Sequence, residues 1–80
     1  MKLHPSRELL AKMYEPRSQD LRNMVKSLLR NPHPGWAMPV TDKPDTYEFS
    51  GSGVWIQYEV DNTGMETVIR AAIVNRPSFL

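Results

Sequence analysis

The chain contains no cysteine. That removes disulfide staples, thiolate zinc sites and cysteine nucleophiles together, and it leans the expectation toward an intracellular setting. No run approaches the ~20 apolar residues of a membrane span. The opening MKLHPSRELLAKMYEP has no continuous apolar stretch of the kind a secretory leader needs. A cytoplasmic protein with no membrane association is expected. Histidine is scarce too: His4 and His33 stand far apart, each next to a proline, without the i, i+4 spacing of a helical metal site. No metal or cofactor is expected. There is no phosphate-binding glycine loop, because Ser50-Gly51-Ser52-Gly53 reads as a hairpin turn, and no Ser-His-Asp set is suggested by spacing. Repeats and low-complexity segments are also missing.

What is present divides the chain in two. Its 80 residues make one small domain, able to bury about 60% of its unfolded surface, so its stability margin is thin. Residues 1–43 hold eight Lys/Arg against four Asp/Glu; residues 44–80 hold Arg70 and Arg76 against five acids. The net charge of +1 therefore conceals a basic first half, +4, and an acidic second half, −3. A polyanion would meet the first half first.

The basic half reads as two helices, at about 6–15 and 18–31. Ser6 and Ser18 are the expected N-caps, with Glu8 and Asp20 in the first turns where a carboxylate suits the helix dipole. Leu9, Leu10 and Met13 give the first a short apolar stripe, and Pro16 cannot continue it. Leu21, Met24, Val25, Leu28 and Leu29 fall at the spacing of a core-facing helix, which Asn31-Pro32 should end. Residues 32–45, with four prolines, read as a linker from which Trp36, Met38 and Val40 could cover a core edge.

The acidic half alternates with a period of two. Strands are expected at about 46–50, 53–60 and 66–74, joined by turns at Gly51-Ser52-Gly53 and Asp61-Asn62-Thr63-Gly64. The expected fold class is α+β: two N-terminal helices packed on a three-stranded antiparallel β-meander. Glu48 and Glu59 are expected to face each other across the first hairpin on its solvent side.

Two surface features suggest binding. Arg22, Lys26 and Arg30 recur every four residues, a cationic ridge that could track nucleic-acid phosphates. If Ile56 and Tyr58 point to the core, Trp55 and Gln57 point out, and an exposed tryptophan on a sheet serves as a stacking platform or interface anchor. Trp36 could join Trp55 in holding a partner, unless the proline-rich linker folds over Trp55. The third strand carries Val68, Ala72 and Val74 on its second face. It should be buried against another protomer, against an antitoxin-like segment, or under the carboxy-terminal Pro77-Ser78-Phe79-Leu80.

From Leu21 to Arg76, about two-thirds of the chain, the order of segments resembles the RelE/ParE superfamily of toxin–antitoxin toxins. In that family a helical hairpin leads through a loop to a meander with a "G-x-R-x-x-Y-x-V" strand and a "V-x-I-x-x-V-x-x-R" strand. The matching segments here are Val25 to Pro32, Tyr47-Glu48-Phe49, Gly53 to Asp61, and Val68 to Arg76. The resemblance implies a small protein, a homodimer or a partner-bound chain, that binds an antitoxin-like segment or a target such as gyrase or the ribosome. If it implies catalysis, that is metal-independent RNA cleavage, with Arg76 and Arg70 steadying phosphate charge while the 2′-hydroxyl attacks. The chain departs from the pattern where Trp55 replaces the usual strand arginine, and where no tyrosine follows Arg76. The family's opening strand is at most Met1-Lys2-Leu3. Protein binding is therefore expected ahead of catalysis. The alternatives are a small dimeric regulatory interaction module without toxin activity, and nucleic-acid binding through the helical ridge.

Overall fold

Ser6 sits in extended backbone and its hydroxyl accepts the Leu9 N–H at 3.2 Å, which starts helix α1, Arg7–Met13. Pro16 separates it from α2, Gln19–Ser27. These assignments come from a computed structural model, which describes residues 1–79. Ser18 occupies the N-cap position of α2 without a side-chain cap bond. Past Ser27 the chain tightens: Leu28, Leu29 and Arg30 donate to the carbonyls of Val25, Lys26 and Ser27, three residues back, at 3.0–3.2 Å. Such i, i+3 turns are common at helix ends. They stop the regular helix four residues short of the expected boundary at 31 and leave Leu29 exposed.

The sheet corrects the expected architecture. It is not a three-stranded antiparallel meander but a five-stranded mixed sheet, so the fold is α+β with a different topology. Its strands are β1 (Lys2–Pro5), β2 (Met38–Pro39), β3 (Thr46–Gly51), β4 (Val54–Asp61) and β5 (Val68–Val74), in the order β1-β5-β4-β3-β2. The central β3-β4-β5 pairs are antiparallel, as is β2 on β3, while β1 runs parallel to β5. Four residues ending in proline hold no readable alternation, which hid β1. It forms because β5 needs a partner for its outer backbone edge: the Lys2 N–H donates to the Thr67 carbonyl at 2.8 Å and the Ser6 N–H to Ala71 at 2.7 Å. β2 lies inside the proline-rich segment, where an edge position tolerates the missing N–H of Pro39.

The β3–β4 turn is two residues, Ser52 and Gly53, both at positive φ (50° and 79°), a geometry that matches the right-handed strand twist. Asp20 clasps this turn, accepting the backbone N–H and the hydroxyl of Ser52. Gly51 lets α2 approach: a Cβ there would lie 3.3 Å from Met24 Sδ and 3.4 Å from Leu21 Cδ1. Both helices cover one sheet face. Leu9, Met13, Leu21, Val25 and Leu28 pack on Phe49, Ile56, Tyr58, Val60, Ile69 and Ala71. The Tyr58 hydroxyl donates to the Pro32 carbonyl at 2.7 Å and ties the proline-rich segment to the core edge. Burial, with Tyr47 stacked 5.4 Å away, pushes the Tyr58 phenol above its ordinary range. Among the described residues no helix is long and apolar enough to cross a membrane.

Candidate functional site

Both helices lie on one face, so the residues of opposite parity form a second, helix-free face. The registers set its rows. His4 of β1, Arg70 of β5, Glu59 of β4 and Thr46 of β3 stand side by side at one level. The next row along is Ala72, Gln57, Glu48 and Met38, and beyond it come Val74, Trp55 and Ser50. Glu48 therefore opposes Gln57, and Thr46 opposes Glu59. The two glutamates share a face but do not face each other, a one-row shift from the expected pairing.

An open groove of about 780 Å³ runs over the first two rows. His4, Gln57, Glu59, Arg70 and Ala72 line its floor, and the Asp42-Lys43-Pro44 loop forms a wall. Its charges are mixed. Arg70 is committed within the face, its Nη1 donating to Asp61 Oδ2 at 2.6 Å. The Thr63 hydroxyl and N–H donate to Asp61 Oδ1 at 2.6 and 2.9 Å. The Thr63 bonds first, and Arg70 after them, hold the Asp61 carboxyl well below the usual carboxylate range. The bond to Asp61 in turn raises the Arg70 guanidinium further. Among the described residues no group of three or more acids and histidines is placed to hold a metal ion.

Trp55 of the third row and Glu48 of the second are touched by the chain's own tail. After β5 the chain turns back, and the Ser78 N–H donates to Glu48 Oε2 while Phe79 packs edge-on against Trp55, with ring centroids 5.5 Å apart. The tail thus reaches Glu48 of β3 and Trp55 of β4, while Val68, Ala72 and Val74 of β5, expected to be covered, are half-buried in the single chain. Glu48 is 0% exposed, and its Oε1 has no hydrogen-bond partner among the described residues. Sequence reasoning placed Glu48 on the solvent side, since a carboxylate on a strand's polar face is normally wet. Nothing in its neighbourhood signals that a segment 30 residues later will seal it.

The remaining candidates are scattered. Trp36 packs edge-on against Phe49 at 4.9 Å, at the opposite side of the sheet from Trp55's row, and remains 39% exposed. Gln57 is half-buried in the groove floor. Arg70 lies mid-groove, whereas Arg76 is exposed beyond the end of β5, so the two arginines form no visible pair. In the helical ridge, Arg22 is turned inward to the end of α1, donating to the carbonyls of Met13 at 2.6 Å and Glu15 at 3.3 Å. Lys26 sits 6.0 Å over the Tyr14 ring, and Arg30 lies past the helix end. Three evenly spaced cations in the sequence thus have three different surroundings. His4 and Lys43 enter the groove without any local motif to announce them. No family model, curated protein or solved structure matches the chain.

Proposed function

We propose that this chain is a RelE/ParE-like protein that acts by binding a protein partner across the helix-free face of its sheet. One observation carries the proposal: both helices cover a single face, and the other keeps an open groove between His4, Gln57, Glu59 and Arg70. β1, Lys2–Pro5, supports the family likeness, since the RelE/ParE pattern opens with a strand. The charges favour protein over nucleic acid. A phosphate-tracking surface needs an excess of free cations, but Arg70 is paired with Asp61, and Lys43 shares the groove with Glu59 and Asp42. Binding also fits better than catalysis, because Arg70 and Arg76 are not assembled into one phosphate site.

The test is controlled induction in a bacterial culture of the native chain, Gln57→Ala and Arg76→Ala, each checked for soluble accumulation. Growth arrest by the native chain, relieved by Gln57→Ala, is the expected outcome and ties toxicity to the groove. Relief by Arg76→Ala alone would move the active surface off this face. Normal growth with folded native protein accumulating would remove the toxin component and leave a regulatory interaction module.

A further inference from the structure

The geometry points to a peptide-docking site beneath the carboxy-terminal tail: an aromatic and basic segment of a partner protein displaces Pro77–Phe79 and pairs a cation with Glu48. This site deepens the partner-binding role proposed above and rests on it.

The tail seals the face without satisfying it. It gives Glu48 one backbone N–H, at Oε2, and among the described residues leaves the buried Oε1 without a hydrogen-bond partner. A buried carboxylate oxygen without a donor is costly, so closure under the tail stores a penalty that another occupant could relieve. Among the described residues the tail is held by that N–H and by an edge-on contact of Phe79 on Trp55, while the side chains of Arg76 and Ser78 are exposed. Trp55 stays half-buried even with Phe79 against it.

The same contacts state what the occupant must bring. A backbone N–H must reach Glu48, as the one from the turn at Ser78 and Phe79 does. An aromatic side chain takes the place of Phe79 on Trp55. A lysine or arginine supplies the charge-assisted donor that Oε1 lacks. The surroundings agree, since Glu59 stands on this face one row from Glu48, and residues 44–80 carry a net charge of −3. The chain's own end, Asn-Arg-Pro-Ser-Phe-Leu, is an imperfect version of such a ligand, tethered where it competes in cis.

The experiment uses labelled peptides of residues 75–80, titrated by fluorescence anisotropy into a chain ending at Val74 and into the full chain. Three peptides are compared: the native tail, Pro77→Ala and Pro77→Lys. The tail-less chain should bind the native peptide, and the full chain should bind it about tenfold more weakly or worse because its own tail competes at high effective concentration. Lysine should improve on alanine by roughly fivefold. Glu48→Gln should erase that gain, and Trp55→Ala should weaken all three peptides. If the tail-less chain does not fold, as judged by circular dichroism, full-length Phe79→Ala replaces it, with its aromatic clamp removed and every backbone bond retained.

A folded, tail-less chain that binds none of the peptides would overturn the site, and so would binding indifferent to Trp55→Ala. Equal binding of lysine and alanine peptides would overturn the basic partner. A concentration-dependent dimer of the full chain that Phe79→Ala abolishes would assign the site to a second copy's tail instead. Peptide binding alongside normal growth would keep this site and remove the toxin, whereas growth arrest without peptide binding would do the reverse.

Discussion

Asp61 holds the β4–β5 turn and the groove's Arg70 together. It accepts two bonds from Thr63 and one from Arg70, and these keep its carboxyl below the ordinary range. A depressed folded-state value means stability that is fully present above the unfolded value of ~3.9 and lost as pH falls from there toward the folded one. Asp61→Asn should therefore lower the urea midpoint at pH 7, and the gap to the native chain should narrow steadily as pH falls below about 4. Urea titrations at pH 7, 4 and 2.5 measure this; a gap that stays constant across them would show that Asp61 acts through shape alone. Added salt should narrow the pH 7 gap, because Asp61 and Arg70 are partly open to solvent. The turn itself was legible, since Asp-Asn-Thr-Gly is rich in residues that bond their own backbone. The Arg70 bond was not, because it depends on register across two strands. Glu48 shows the same gap more sharply: its strand position was readable, but its burial belongs to the tail.

Among the elements, α2 shows how far periodicity carries. The positions at i, i+4 and i+7, Leu21, Val25 and Leu28, are all fully buried. At the i+8 position, Leu29 is 39% exposed, because the last turn tightens to i, i+3 bonding and rotates it off the stripe. Leu21 also fills the space left by Gly51, so its loss cannot be repaired by a small shift of the helix. Leu21→Ala should cost about 2–5 kcal/mol, and Leu29→Ala within roughly 0.5 kcal/mol. Equilibrium urea unfolding of both variants decides the matter; similar losses would mean that the helix runs on past Ser27 with Leu29 packed inside. The pattern foretold which face is buried and could not foretell where hydrogen bonding changes type. β2 and β1 lay below its reach for a related reason. Two residues, or four ending in proline, contain too few alternations to register as strands, and each exists only because a longer neighbour offers an unpaired edge.

For the molecule as a whole, β1 closes the sheet. The three long strands and their order were readable from alternation and turns, but the partner of β5's free edge was not. Parallel pairing joins segments more than 60 residues apart, Lys2 to Val68 through Pro5 to Ala71. β1 brings Leu3 onto the core and the backbone pairing of Lys2–Pro5 to the edge, and Met1 and Lys2 place their ammonium groups 3.3 and 3.7 Å from Glu66. The exposed ion pairs contribute little, so the edge bonds and Leu3 decide the outcome. Without β1, the seven residues of β5 would present an open edge in a strand that holds Val68, Ile69, Ile73 and Val74. An apolar edge of that length is a template for pairing with other chains, and a domain of this size has little stability to lose. A chain beginning at Ser6 should therefore lose cooperative unfolding, or associate through β5, with sedimentation velocity showing species larger than the native chain at equal concentration. Restoring the edge in a second variant, Leu3→Ala in the full chain, separates the two contributions. If it keeps the native sedimentation while unfolding at lower urea, the edge bonds prevent association and Leu3 adds core stability. A monomeric, cooperatively unfolding chain from Ser6 onward would show instead that β5 tolerates an open edge, and that β1 is an accessory to this sheet.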